Sequence, residues 1–183
     1  YASVQDGADV EDPTLAGVTA LVDASAISLE IKAAVGPVDL QAMMTQVSNN
    51  STDSGVTKVV ASGKAGTVSY FAAYAMTADD GSMVALDSDT SSTADIGLDN
   101  ISMSEAGGDA TAIALGAKVA MASGVCASAD YLTGDANGVD FDELDLKVGY
   151  KMGKNFKASL LYATGDKIGA DFAYTQVEVK YTF

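Results

Sequence analysis

The chain has 183 residues, ten of them basic and 25 acidic, for a formal net charge of −15, and it contains no histidine. Every basic residue is a lysine; hydrophobic residues make up 48% of the chain, aromatic residues 7%, and tryptophan is absent. Histidine-dependent triads, acid–base pairs and metal sites are therefore excluded, and so acidic a chain is a poor partner for nucleic acid.

Cys126 is the single cysteine, so no internal disulfide or thiolate metal cluster can form. The longest uncharged stretch, Ala65 to Ala78, is shorter than the roughly 20 apolar residues of a membrane-spanning helix. A membrane β-barrel, however, keeps its apolar residues at alternate positions and escapes that test. The chain begins at Tyr1, and the acidic stretch Asp6 to Asp12 would suit a loop inside a larger barrel.

Period-two alternation then runs along the chain. A weak strand is predicted at Leu15 to Val22, with a short link at Asp23 to Ser25. Ile27, Leu29, Ile31, Ala33 and Val35 alternate with Ser28, Glu30, Lys32 and Ala34. Gly36-Pro37 turns the chain into Val38, Leu40, Ala42 and Met44, set against Asp39, Gln41, Met43 and Thr45. A link over Ser48 to Gly55, a strand over Val56 to Ala61 and a turn over Ser62 to Ala65 follow. Val68, Tyr70, Ala72, Tyr74 and Met76 then alternate with Thr67, Ser69, Phe71, Ala73 and Ala75.

The longest connection, residues 79–109, could fold into a lumen as a constriction loop, with Asp87, Asp89, Asp95 and Asp99 as its candidate residues. The competing reading is a solvated external loop. Beyond it, Ile113, Leu115, Ala117, Val119 and Met121 alternate with smaller residues and Lys118, and Ala122-Ser123-Gly124 leads to a strand over Val125 to Tyr131. A long acidic link is expected over Thr133 to Asp140. Leu144, Leu146, Val148, Tyr150 and Met152 then alternate with Glu143, Asp145, Lys147, Gly149 and Lys151. A turn at Gly153-Lys154 precedes Phe156, Ala158, Leu160 and Tyr162, and a link over Asp166 to Asp171 precedes the last strand.

The pattern predicts an all-β protein of about ten antiparallel strands. Their length, roughly nine to twelve residues, is that of tilted membrane-spanning strands and exceeds the five or six residues usual in soluble sheets. Short turns at one rim and longer acidic loops at the other fit a transmembrane β-barrel. Aromatic residues fall toward both rims: Tyr150, Phe156, Tyr181 and Phe183 near the short turns, Tyr74, Tyr131 and Tyr162 nearer the long loops. The polar faces supply candidate pore-lining residues: Glu30, Lys32, Lys118, Asp130, Glu143, Asp145, Lys147, Lys151, Lys157, Glu178 and Lys180. Charges of both signs suit a wet lumen and would be awkward in a dry core.

From Val177 the chain ends V-E-V-K-Y-T-F, and upstream it reads L-D-L-K-V-G-Y-K-M-G and F-K-A-S-L-L-Y-A-T-G-D. Over about Thr111 to Phe183 these strands resemble the C-terminal part of a Gram-negative outer-membrane porin. The resemblance implies that Phe183, Tyr181, Val179 and Val177 form the signature presented to the outer-membrane assembly machinery. It also implies a bacterial outer-membrane location, contact with outer-membrane lipid, a homotrimer as one assembly, and passive diffusion of small hydrophilic solutes or ions. Two departures stand out: no arginine is present to build a constriction cluster, and about ten strands are fewer than general porins use. The chain reads as a single domain over 1–183, either a complete small barrel or the C-terminal part of a larger one.

The charge of −15 points to cations as the preferred solute. A barrel too narrow to conduct, serving as an anchor, is the second reading. A secreted calcium-binding β-protein is the third, resting on Asp135-Ala136-Asn137-Gly138-Val139-Asp140, which does not complete the calcium-loop pattern. No metal, cofactor or enzymatic activity is expected; Glu143 and Asp145 lie two apart on one strand and line a surface more simply than they form an acid–base pair.

Overall fold

A computed structural model describes residues 2–6, 24–49, 53–79, 98, 101, 108–121, 123–167 and 169–182. Ten strands form one antiparallel sheet in sequence order: β1 (Ala2–Asp6), β2 (Ala24–Val35), β3 (Val38–Asn49), β4 (Asp53–Ala65), β5 (Val68–Thr77), β6 (Ala110–Ala120), β7 (Val125–Ala136), β8 (Val139–Met152), β9 (Phe156–Asp166) and β10 (Asp171–Tyr181). The sheet is open. Among the described residues β1 pairs with β2 and β10 with β9, and the two outer strands do not meet.

Strand pairing fixes which residues share a face, because side chains directly opposite one another in an antiparallel ladder project the same way. Followed across the register, one face carries Ile31, Leu40, Val59, Tyr74, Ile113, Leu115, Tyr131, Leu146, Val148, Leu160, Val177 and Val179. These side chains are exposed, Leu115 at 50% and Val177 at 70%. The opposite face buries small residues: Ala75 and Ala163 are 0% exposed and Ala112 is 1% exposed. A water-soluble sheet has the reverse arrangement, with its large apolar residues inside. Here the apolar face is the outer one, and it bears no charged residue from Ile27 to Val35, from Val68 to Met76, from Leu144 to Met152, or from Ala173 to Tyr181.

From Met152 to Leu144 the apolar run on β8 spans roughly 27 Å along the strand at about 3.4 Å per residue. Tilted by about 35–45°, it covers roughly 20 Å of membrane depth. Tyr70, Tyr150, Phe156 and Tyr181 border the band beside the short turns. On the other side Tyr131 and Tyr162 are each followed on the same face by a threonine, Thr133 and Thr164, where the band gives way to polar residues.

The connections differ from the sequence expectation in several places. The hairpin joining β7 and β8 is a two-residue turn at Asn137-Gly138, not a long acidic link over Thr133 to Asp140. Both residues have positive φ, 54° and 77°, the signature of the hairpin turn whose twist matches that of its strands. The Asp135 carboxylate accepts the Gly138 N–H at 3.1 Å, so this acid completes the turn. The turn expected over Ser62 to Ala65 falls at Gly66-Thr67, because β4 continues to Ala65. The links before β4 and β10 shrink to residues 50–52 and 167–170. Among the described residues, only the stretches 7–23 and 78–109 separate successive strands by more than four residues, and the contrast between rims is weaker than the acidic composition suggested. The expected strand at Leu15 to Val22 lies outside the described residues, as does Phe183, and β1 was not foreseen.

The face assignment is directly testable. Leu146→Lys, which places a charge in the outer band, should destabilise the protein in bilayers by about 2–4 kcal/mol, measured by urea titration with heat-modifiable gel mobility as the readout. Lys147→Leu, one residue away on the opposite face, should leave the midpoint close to wild type.

Candidate functional site: the inner face of the sheet

The inner face divides along the strand direction into a lysine-rich part beside the short turns and an apolar part beside the long connections. Eight of the ten lysines, Lys32, Lys58, Lys64, Lys118, Lys147, Lys151, Lys157 and Lys180, share this face by register. The other two, Lys154 and Lys167, lie in connections. Opposite them in sign, the face carries Glu30, Asp39, Asp130, Glu143, Asp145 and Glu178. All eleven residues expected to line a lumen thus fall on one side of the sheet, the side away from the apolar band.

Lys151 and Lys180 each stand directly across from Lys157, so three like charges form a row over β8, β9 and β10. Like charges placed opposite one another destabilise a sheet, and screening by water is what makes such a row tolerable. Lys118 and Lys147 continue the cluster, separated by Ser128 in the register. Together with Glu178 these lysines line an open recess of about 450 Å³, into which Cys126 and Gly149 also open.

Toward the first strands the charges are arranged as partners. Lys32 Nζ lies 2.8 Å from Glu30 Oε1, and the Gln41 side-chain amide donates to the same oxygen. On the next level Ser28 and Thr45 hydroxyls meet at 3.2 Å.

The apolar part is different in kind. Ala73, Ala75, Ala110, Ala112, Ala114, Leu132, Ala136 and Phe141 form a buried cluster on β5 to β8, and Ile101, from the connection between β5 and β6, belongs to it. Leu98 and Phe172 pack against its edge. Glu143, expected to line a wet wall, is 0% exposed here, and Asp145 is 6% exposed. The Glu143 carboxylate accepts the Ile101 backbone N–H at 2.7 Å. No alternation pattern could have revealed that contact, because it comes from a connection and not from a neighbouring strand. Asp87, Asp89, Asp95 and Asp99 lie outside the described residues.

Close backbone approach shapes the middle of the face. Gly116 sits beneath Phe71 and Asp130: a methyl group there would fall 2.1 Å from the Phe71 ring and 2.2 Å from Asp130 Oδ1. A glycine lets the ring and the carboxylate lie flat over β6.

Solved structures with a similar fold include outer-membrane proteins of Pseudomonas aeruginosa. Over 87% of its length the chain superposes on 48% of OccK1 (OpdK), with a TM-score of 0.63 and 17% identity. It superposes likewise on 46% of OccK9 (OpdG), with a TM-score of 0.64 and 17% identity, and on 50% of OccK5 (OpdH), with a TM-score of 0.64 and 13% identity. The fold is that of an outer-membrane β-barrel. The chain spans about half the length of these structures, in keeping with a ten-stranded sheet that is open at both edges. No protein-family model matches the sequence, and no curated protein is similar to it.

Water access separates the two faces experimentally. With Cys126→Ser as background, Lys157→Cys in liposomes should react with a membrane-impermeant thiol reagent at the rate of an aqueous thiol. Leu160→Cys, on the outer face, should react only with an apolar maleimide.

Proposed function

We propose that the protein is an outer-membrane channel component, whose sheet forms part of a barrel wall and whose inner face lines a path for passive diffusion of small hydrophilic solutes. The observation carrying this reading is the one-sided distribution of charge: every lysine within a strand lies on the face away from a charge-free apolar band. A wet path on the inner side is the arrangement that keeps eight lysines hydrated while the other face meets hydrocarbon. The likeness to Pseudomonas outer-membrane channels supports a bacterial outer-membrane location and contact with its lipid. A narrow ten-stranded anchor is less well supported, because β1 and β10 do not pair with each other. The secreted calcium-binding reading loses its motif to the Asn137-Gly138 hairpin turn.

Solute preference follows from where the charge sits. The excess acid behind the net charge of −15 is carried mainly by connections and strand ends, where it would concentrate cations at the mouth. The inner wall itself carries eight lysines against six carboxylates, two of which, Glu143 and Asp145, are buried. This favours a second reading of selectivity, in which small carboxylates are drawn along the lysine row after entry. One related fold, that of OpdK, has been solved with vanillate, itself a carboxylate. Assembly through the C-terminal signature Val179, Tyr181 and Phe183, and a homotrimeric state, are parts of the same proposal drawn from the porin resemblance.

Planar-bilayer recordings on the intact protein containing this chain test these readings. Ohmic channels are expected; absence of conductance under all conditions would favour the anchor. Under a potassium chloride gradient, replacing Lys151, Lys157 and Lys180 together by Gln should shift the reversal potential several-fold toward cation permeation. An unchanged potential would return selectivity to the acidic mouth.

A further inference from the structure

The wall of a watery lumen is an odd place for a dry carboxylate. Glu143 nevertheless is fully buried, at 0% exposure, with Leu132 and Gly165 as its register neighbours. Two residues of the connection between β5 and β6, Leu98 and Ile101, lie against this part of the wall. Ile101 donates its backbone N–H to Glu143 Oε2 at 2.7 Å and accepts the Leu98 N–H at 2.9 Å on its own carbonyl. The Ile101 side chain is 5% exposed and packs into a bed of alanines from β5 and β6, closed off by Leu132 and Phe141.

Three features of the wall suit it to receive Leu98 and Ile101. Its alanines are short, so the sheet leaves depth for a second layer above them. Phe172 and Leu98 border the bed and exclude water from its edge. A carboxylate accepting a backbone N–H makes a charge-assisted bond, stronger than a neutral pair and stronger again away from water. The connection is also tied at its root, where Ala110 N–H donates to Thr77 Oγ1 at 2.9 Å and Asp109 N–H to the Ala78 carbonyl at 3.1 Å.

We propose that Glu143 is a positioning residue that anchors Leu98 and Ile101 to the inner wall, and that this anchor narrows the passage beside the long connections while leaving the lysine-lined part open. The inference rests on the channel reading for its consequence, but the anchor itself does not depend on conduction. Glu143 thereby leaves the set of solvated lining residues and becomes a determinant of pore size.

The test uses the intact protein containing this chain, folded in detergent, with heat-modifiable gel mobility showing that each variant is assembled. Hydrogen-exchange mass spectrometry should find the peptide containing 98–101 protected in the wild type, less so in Glu143→Gln, which keeps an acceptor oxygen, and least in Glu143→Leu. Ile101→Pro removes the donor without touching the barrel wall and should reproduce the loss if the strand variant fails to assemble. In planar bilayers Glu143→Leu and Ile101→Pro should raise single-channel conductance to the same level, with the reversal potential set by the lysines unchanged. Free exchange at 98–101 in the wild type, or equal protection in every variant, overturns the anchor. Protection that is lost without any rise in conductance overturns the narrowing. A protein that conducts in no form overturns the channel reading, and the exchange data then still decide the anchor.

Discussion

In hydrocarbon a strand can send its N–H and C=O groups only to another strand, because no water is there to accept them. Everything else in this molecule is arranged around that constraint. Nine neighbouring pairs run antiparallel in strict sequence order, and the resulting register leaves each side chain only two places to be. A one-residue slip of β8 would carry Lys147, Lys151, Glu143 and Asp145 to the apolar face together. The charges thus hold the pairing in place as effectively as the apolar residues do, through the cost of exposing any of them to lipid.

The faces were legible in the sequence because period two survives from Ile27 to Tyr181 wherever strands are long. In β9, alternation separates Lys157, Ser159 and Leu161 from Phe156, Ala158 and Leu160, and pairing with β8 and β10 puts the two sets on opposite faces. Leu161, apolar on the side of β9 that carries Lys157 and Ser159, has a physical account: it is 3% exposed, on the inner face next to Ala163, where a buried apolar residue is welcome. Composition at strand ends resembles that of loops. Asp135 and Asp140 looked like loop residues, yet both lie in strands on either side of Asn137-Gly138, since acids beyond the apolar band are as well hydrated in a strand as in a loop. The burial of Glu143 was illegible for another reason: its partner Ile101 is 42 residues away in sequence, with nothing periodic to connect them.

The inner face shows how one wall can hold two environments. Beside the short turns it is open and lysine-rich, and its like charges are exposed. Beside the long connections it is lined by alanine and covered by Ile101, whose N–H the Glu143 carboxylate accepts. The transition occurs at Gly116, where Phe71 and Asp130 lie side by side over the same bare stretch of backbone. An apolar ring and a carboxylate sharing one glycine mark the boundary between the dry part and the wet part.

The distribution of connection lengths also dictates how the chain can come together. From β2 to β5, and again from β6 to β10, successive strands are joined by no more than four residues. Each group can therefore zip by short-range contacts, where loop-closure entropy is small. The two groups are joined through residues 78–109, so pairing of β5 with β6 carries the larger loop-closure entropy. Ile101 of that same connection docks on the alanines of β5 and β6 and on Glu143 of β8. Its docking site exists only once both groups have joined, so the contact ties β8 of one group to the connection that leaves β5 of the other.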